Sequence, residues 1–161
     1  MFIEWWHRGK PTALGVASGA VAGLVAITPA SGYVSATSAV VIGLLVSGFC
    51  YMAILAKGKL GYDDSLDVFG VHGVGGTWGA IATGIFASKA VNPAGADGLI
   101  FGNPALLGKQ LIAIIAVGAF SFVVTFVTLK IIGKFTPLRV NKDDEDTGLD
   151  LSQHGEVSYS L

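Results

Sequence analysis

Long apolar stretches separated by short polar segments run along most of the chain. No charged residue or histidine occurs at residues 12–56, and Pro29, Ala30, Ser31 and Gly32 divide this run, because such residues favour a turn. A helix of about 20 apolar residues spans the roughly 30 Å hydrocarbon core of a bilayer. The pattern predicts an all-α, polytopic membrane helical bundle. Its four transmembrane helices are expected at about 12–28, 35–56, 68–87 and 109–136.

Composition supports a membrane protein and excludes several other classes. The chain is 52% hydrophobic and only 13% charged, with a mean hydropathy of +0.67 and a net charge of −1. A lipid bilayer is therefore the expected environment, and no nucleic-acid partner is expected. Cys50 stands alone in an apolar run and cannot build a thiolate metal site by itself. We expect no cofactor and no metal.

His72 is the one residue in the third apolar run that titrates near neutral pH. An ionisable group inside a membrane is costly, which favours a role in a transport path. A histidine bonded to a neighbouring helix for structural reasons is the alternative. Gly75, Gly76 and Gly79 follow His72 by three, four and seven positions, so a regular helix places them on its face. We expect this face to pack against other helices, with His72 turned away from lipid.

Three aspartates precede this run. Asp67 is predicted to cap the helix by accepting hydrogen bonds from its first amides. Asp63 and Asp64 lie slightly further out, near the expected membrane surface. They are either solvated loop acids or, together with Asp67, an electrostatic collar for a cation at the cytoplasmic mouth of a path.

The two ends of the chain differ from its middle. Residues 1–11 carry Trp5 and Trp6 followed by positive charge, which is typical of a membrane helix leaving the bilayer. We interpret them as the cytoplasmic end of a preceding helix whose body lies upstream; a short interfacial anchor is the alternative. The chain would then be a fragment of a larger protein. Residues 137–161 form a polar tail with an acidic run at 143–146.

Charge bias predicts the orientation. Alternating the four spans places eight basic residues on one side of the membrane and two on the other. The larger group is Arg8, Lys10, Lys57, Lys59, Lys130, Lys134, Arg139 and Lys142, against Lys89 and Lys109. Positive residues concentrate on the cytoplasmic side. The N-terminal segment and the tail are therefore expected in the cytoplasm, with the protein in the plasma (inner) membrane.

Several segments together resemble the ammonium transporters of the Amt/Mep/Rh group. They are GKPT at 9–12, AVAGLVAITPA at 20–30, DVFGVHGVGG at 67–76, LRV at 138–140, GLD at 148–150 and HGE at 154–156. The resemblance covers nearly the whole chain and implies the C-terminal portion of a bacterial-type member. It also implies a homotrimer in which each subunit encloses its own pore.

The resemblance assigns roles to individual residues. It implies that His72 is the second of two facing pore histidines that handle the proton of ammonium. The family's first pore histidine, outer cation site and aromatic gate lie on helices outside this chain, so transport by the chain alone is not expected. The tail resembles a regulatory element that reaches PII-type signal proteins in many bacterial members. Its matching residues are Gly148, Asp150, His154, Gly155 and Glu156.

Three functions follow from these patterns. The first is ammonium or ammonia transport as part of a transporter, which is not an enzyme activity. The second is a truncated, non-transporting remnant that associates with full-length subunits and modulates them. The third is a haem-binding membrane anchor, which would need two mid-membrane imidazoles where the sequence offers His72 alone.

Overall fold

The structure is a computed structural model that describes residues 1–156, and all regular elements in that part of the chain are helical. Its α-helices are α1 (Phe2–Arg8), α2 (Ala13–Ile27), α3 (Ala36–Leu60), α4 (Val74–Phe86), α5 (Pro104–Ile132) and α6 (Lys142–Thr147). Short 3-10 turns cover Thr28–Ala30 and Leu99–Phe101, and π-helical turns cover Phe69–Gly73 and Asp150–His154. The chain divides into two compact units, Met1–Ala116 and Val117–Leu161.

Local side-chain contacts fix where the long helices begin and end. The Thr12 side chain accepts from the Gly15 amide at 2.9 Å, and the Ser35 side chain accepts from the Ser38 amide at 3.2 Å. Each bond satisfies an amide that has no partner within its helix. Helix α3 ends at Leu60 and is capped by Gly61, whose φ of 69° lies in the left-handed region that glycine adopts without strain.

Helical segments occur in all four predicted ranges, with shifted ends. Helix α3 continues to Leu60 instead of stopping near 56, because Gly61 provides its C-terminal cap. Helix α5 begins at Pro104, since proline suits the first turn of a helix, and ends at Ile132 instead of 136. Among the described residues, 13–30, 36–60 and 104–132 are long and apolar enough to cross a membrane. Helix α4 is shorter, so the four-span arrangement stays a prediction.

Alanine, cysteine and β-branched side chains form the core of the first unit. Helices α2, α3 and α4 meet there around buried residues, which are Ala22, Ala26, Ala30, Ile42, Val46, Cys50, Val71 and Ala82. Helix α5 packs its beginning on α4, where a Cβ at Gly84 would lie 2.7 Å from the Leu107 Cα. Backbones approach this closely only where side chains are absent or short.

Gly15, Gly19 and Gly23 follow one another at four-residue spacing in α2, a pattern that favours tight helix packing, but they do not form such a contact in the described chain. A Cβ at Gly23 would meet nothing within 4 Å, and one at Gly19 would meet only the Met1 nitrogen at 3.8 Å. Gly15 instead makes room for the Glu4 carboxylate. The close contact of α2 runs through Ala22 and Ala26, which are almost fully buried.

Candidate functional site

Asp64 caps the helix that carries His72. Its two carboxylate oxygens accept from the Val68 amide at 2.8 Å and the Phe69 amide at 2.9 Å. The prediction that Asp67 makes this cap is wrong. Asp67 instead adopts a left-handed backbone with φ 55°, which puts its carboxylate beside Lys57.

Lys57, near the end of α3, links both aspartates. Its ammonium group donates to the Asp64 carbonyl oxygen at 2.7 Å and forms an ion pair with the Asp67 carboxylate. A left-handed conformation costs a non-glycine residue roughly 1–2 kcal/mol, and this pair offsets part of that cost. Because these contacts occupy Asp64 and Asp67, they favour a structural role for the two carboxylates. Asp63 is exposed at the turn, and the predicted collar stays a prediction.

A π-helical turn at Phe69–Gly73 connects this cap to α4. A Cβ at Gly70 would lie 3.0 Å from the Ile54 side chain, and one at Gly73 would lie 2.9 Å from the Phe69 ring. A side chain at Gly70 would therefore crowd α3, and one at Gly73 would crowd the Phe69 ring within the turn. Widened turns of this kind within α-helices are frequent at functional sites.

His72 lies within the π-helical turn and is exposed. Gly75 and Gly79 are buried: a Cβ at Gly75 would contact Cys50 and Val25 at 3.4 Å, and Gly79 abuts the Ala26 carbonyl. His72 and these glycines differ in exposure, and their predicted common face stays a prediction.

The glycines nevertheless mark close packing. Gly79 touches α2 at Ala26 and Pro29, and Gly76 lies at the edge of the contact, with a Cβ position 3.9 Å from Val25. The His72 side chain is exposed in the described chain, and its expected contact with other helices stays a prediction. The site thus consists of a buried glycine face and an exposed histidine on one helix.

Trp78 fixes the rotation of α4 and was not singled out from the sequence. Its indole Nε1 donates to the Ile42 carbonyl at 3.1 Å, and its ring packs on Phe49 with centroids 4.9 Å apart. A tryptophan in an apolar span needs a partner for its N–H, which is the signal that could have identified it.

Glu4 is a second residue that the sequence did not single out. It is buried in α1, and its carboxylate accepts from the Thr12 hydroxyl at 2.8 Å and the Thr12 amide at 3.2 Å. These two bonds hold the pKa of Glu4 below its usual value. The signal in the sequence is a lone carboxylate among apolar and aromatic residues, eight positions before a threonine that begins a helix.

A cavity of about 340 Å³ lies at this end of the first unit. Its lining includes Glu4, Ser18, Tyr51, Asp67 and Val71, the last of which precedes His72. The Tyr51 hydroxyl also lies 2.9 Å from His7 Nδ1. Polar groups therefore gather near the acidic turn, although the site prediction had placed only aspartates there.

The tail has a local fold of its own in the second unit. Arg139 pairs with Glu145 at 2.9 Å, and the Asn141 side chain caps α6 by accepting from the Asp144 amide at 2.8 Å. The Ser152 hydroxyl donates to the Gly148 carbonyl at 3.0 Å. These bonds argue against an unstructured terminus over the described residues.

The predicted tail residues lie at the bends of this fold. Gly148 and Gly155 have φ values of 96° and 65°, a region that glycine favours. Asp150 and His154 begin and end the π-helical turn, and the Glu156 amide donates to the Asp150 carbonyl at 2.9 Å. The prediction on 137–161 extends to residues 157–161, which lie outside the described part.

These features define the class of protein: an all-α membrane protein in which one apolar helical segment carries His72 and close-packed glycines. The model of the Ammonium Transporter Family matches residues 1–159, and the chain belongs to that family. This confirms the fold class and the resemblance, and its relatives are transporters and not enzymes. The chain is a membrane protein by family and by its apolar helices.

Two sequence relatives show the extent of the match. The chain is 52% identical over 160 residues to an ammonium transporter of Bacillus subtilis, covering 99% of this chain and 40% of that protein. It is 49% identical over 155 residues to ammonium transporter Amt1 of Archaeoglobus fulgidus, covering 96% of this chain and 39% of that protein. The chain thus spans about two-fifths of the length of these relatives.

Two solved structures also match the fold of this chain. The crystal structure of Saccharomyces cerevisiae Mep2 superposes with a TM-score of 0.80 at 40% identity, covering 89% of this chain and 34% of Mep2. A structure described as a sensor Amt protein superposes with a TM-score of 0.77 at 31% identity, covering 94% of this chain and 37% of that one.

Proposed function

We propose that the chain forms part of the transport path of an ammonium transporter and that His72 handles the proton of ammonium there. The observation that carries this proposal is a single imidazole, presented on an exposed side of an otherwise apolar helix in a member of this family. A charged ammonium ion enters an apolar path at high cost, whereas neutral ammonia enters cheaply. An imidazole can accept the proton and return it, because its two nitrogens serve as donor and acceptor.

Because His72 is exposed, a closed transport path at this residue needs further protein on the opposite side, here called the opposing wall. Since the chain spans about two-fifths of its relatives' length, the remaining part of a full-length subunit is the natural source of that wall. We propose that Gly75, Gly76 and Gly79 hold the histidine's helix close to α2 and α3, while His72 points to the part supplied from elsewhere. Homotrimer formation follows by family resemblance.

We assign the segments as follows. Residues 1–11 are the cytoplasmic end of a preceding helix, 12–136 are the membrane domain with four spans, and 137–161 are a cytoplasmic tail. The membrane in question is the plasma (inner) membrane. The acidic turn then lies at the cytoplasmic mouth. Asp63, Asp64 and Asp67 are the carboxylates at this mouth that would meet a cation, and Asp64 and Asp67 also shape the turn.

A chimaera tests the transport role. The matched 160 residues of the Bacillus subtilis transporter are replaced by this chain, and methylammonium uptake is measured in a transporter-null cell beside surface abundance. We expect saturable uptake that His72→Ala abolishes, whereas His7→Ala, a histidine outside the proposed path, retains it. Equal uptake by the two variants at equal abundance would contradict the proposal.

A second candidate function is modulation of full-length subunits. The local fold of the tail favours it, because Arg139, Asn141 and Ser152 make hydrogen bonds and an ion pair that organise this segment. In this proposal the tail contacts a neighbouring subunit or a PII-type signal protein. Co-expression of the chain with a full-length transporter tests it. Co-purification with altered uptake supports modulation, and absence of both contradicts it.

A further inference from the structure

We propose that Lys57 is a positioning residue for His72. Its ammonium group connects α3 to the acidic turn and so fixes the π-helical turn that presents the imidazole. The inference rests on the proposed role of His72 in transport. It concerns a basic residue that the sequence pattern marks only as a positive charge at the end of a span.

The connection consists of four contacts, two made by Lys57 and two made by the Asp64 carboxylate. Lys57 donates to the Asp64 carbonyl and pairs with Asp67. The Asp64 carboxylate in turn accepts hydrogen bonds from the Val68 and Phe69 amides, which lie at the beginning of the helix. A displacement of Lys57 is therefore transmitted to the first residue of the π-helical turn.

Two further contacts show that one face of α3 supports the turn. A Cβ at Gly70 would lie 3.0 Å from Ile54, and the Cys50 thiol donates to the Val71 carbonyl at 3.8 Å. Positions 50, 54 and 57 follow the spacing of a single helical face. Of these three residues only Lys57 is charged, and it forms the ion pair with the carboxylate of Asp67, whose backbone is left-handed.

Without Lys57, the remaining contacts of Ile54 and Cys50 are apolar or weak. Asp67 then loses the partner that offsets its backbone strain, and a residue released from the left-handed region returns to a commoner conformation. That change rotates the peptide directly before Val68. His72 lies one π-helical turn further on, so its direction changes with it.

Lys59 provides a matched control. It lies at the same end of α3 and carries the same charge, but its side chain is exposed. Lys57→Met and Lys59→Met therefore remove equal charge from the helix end, and only the first removes the link to the acidic turn. Lys57→Arg retains a cation that can donate to both oxygens.

The first measurement is hydrogen exchange by mass spectrometry on the 161-residue chain in lipid nanodiscs. We expect Lys57→Met to accelerate exchange in peptides covering 68–73 on the order of tenfold, the effect of losing a charged hydrogen bond, with α2 unchanged. Lys59→Met should leave both regions unchanged, and Lys57→Arg should restore protection. Unchanged exchange at 68–73, or equal acceleration throughout the chain, would overturn the proposal.

The second measurement separates this inference from the transport proposal. In the chimaera, Lys57→Met should lower the maximal rate of methylammonium uptake at unchanged surface abundance, with rescue by Lys57→Arg. Loss of uptake in His72→Ala but not in Lys57→Met would overturn the positioning role. Full uptake in His72→Ala would overturn the transport role of the histidine, and the exchange data would still decide whether Lys57 fixes the turn.

Discussion

Replacing Gly79 by alanine tests the packing of the histidine's helix. The new Cβ would overlap the Ala26 carbonyl oxygen and lie 3.0 Å from both the Ala26 carbonyl carbon and the Pro29 Cδ. Neither neighbour is the end of a flexible side chain, so α2 and α4 must separate. Overpacking of this kind costs about 1–3 kcal/mol, and alanine returns up to about 1 kcal/mol through its helix propensity. We expect Gly79→Ala to lower the free energy of unfolding by about 1–2 kcal/mol.

Gly76→Ala is the matched control on the same helix. Its Cβ would meet only Val25, at an ordinary contact distance of 3.9 Å. Here the helix propensity dominates, and the free energy of unfolding should stay equal or rise by up to about 1 kcal/mol. Equilibrium unfolding of the purified chain in mixed micelles with a denaturing detergent measures both variants. Equal stability of the two, or a greater loss in Gly76→Ala, would refute the packing argument.

Three further predictions concern single contacts. Asp64→Ala should destabilise the chain by about 1 kcal/mol through loss of the cap, while Asp64→Asn retains most of it; thermal unfolding compares the two. Trp78→Phe should cost about 1 kcal/mol by removing the bond to the Ile42 carbonyl, and detergent unfolding that leaves the midpoint unchanged would contradict this. The lowered pKa of Glu4 adds stability above its unfolded value of about 4.3, and this is lost as the pH falls through the folded pKa. Thr12→Val should flatten that acid dependence in unfolding measured from pH 7 to pH 3, and an unchanged slope would show that the Thr12 bonds are not its cause.

The positions of the long helices could be predicted from short stretches of sequence, because the ends of a helix depend on nearby residues. Pro29 and Gly32 divide the first apolar run, Ser35 caps the helix that follows, and the spans need only length and apolar character to be recognised. The family resemblance then made the fold predictable, because the matching segments are distributed over nearly the whole chain.

The direction of His72 depends on contacts between helices, which sequence spacing does not reveal. The glycine positions were interpreted as part of a regular helix, and they did not predict the π-helical turn in which Gly70 packs on Ile54. The cap was misassigned for a related reason. Lys57, ten positions before Asp67, draws that carboxylate away from the helix and leaves the amides to Asp64.

The central claim is that His72 acts in a path that this chain completes only together with other helices. Radiolabelled methylammonium uptake in a transporter-null cell tests it, with three proteins compared at equal membrane abundance: the 161-residue chain, the Bacillus subtilis chimaera and the chimaera with His72→Ala. The account predicts saturable uptake by the chimaera alone, because His72 is exposed in the chain by itself and its proton-handling group is missing in the variant. Saturable uptake by the chain alone, or undiminished uptake by the His72→Ala chimaera, would contradict it.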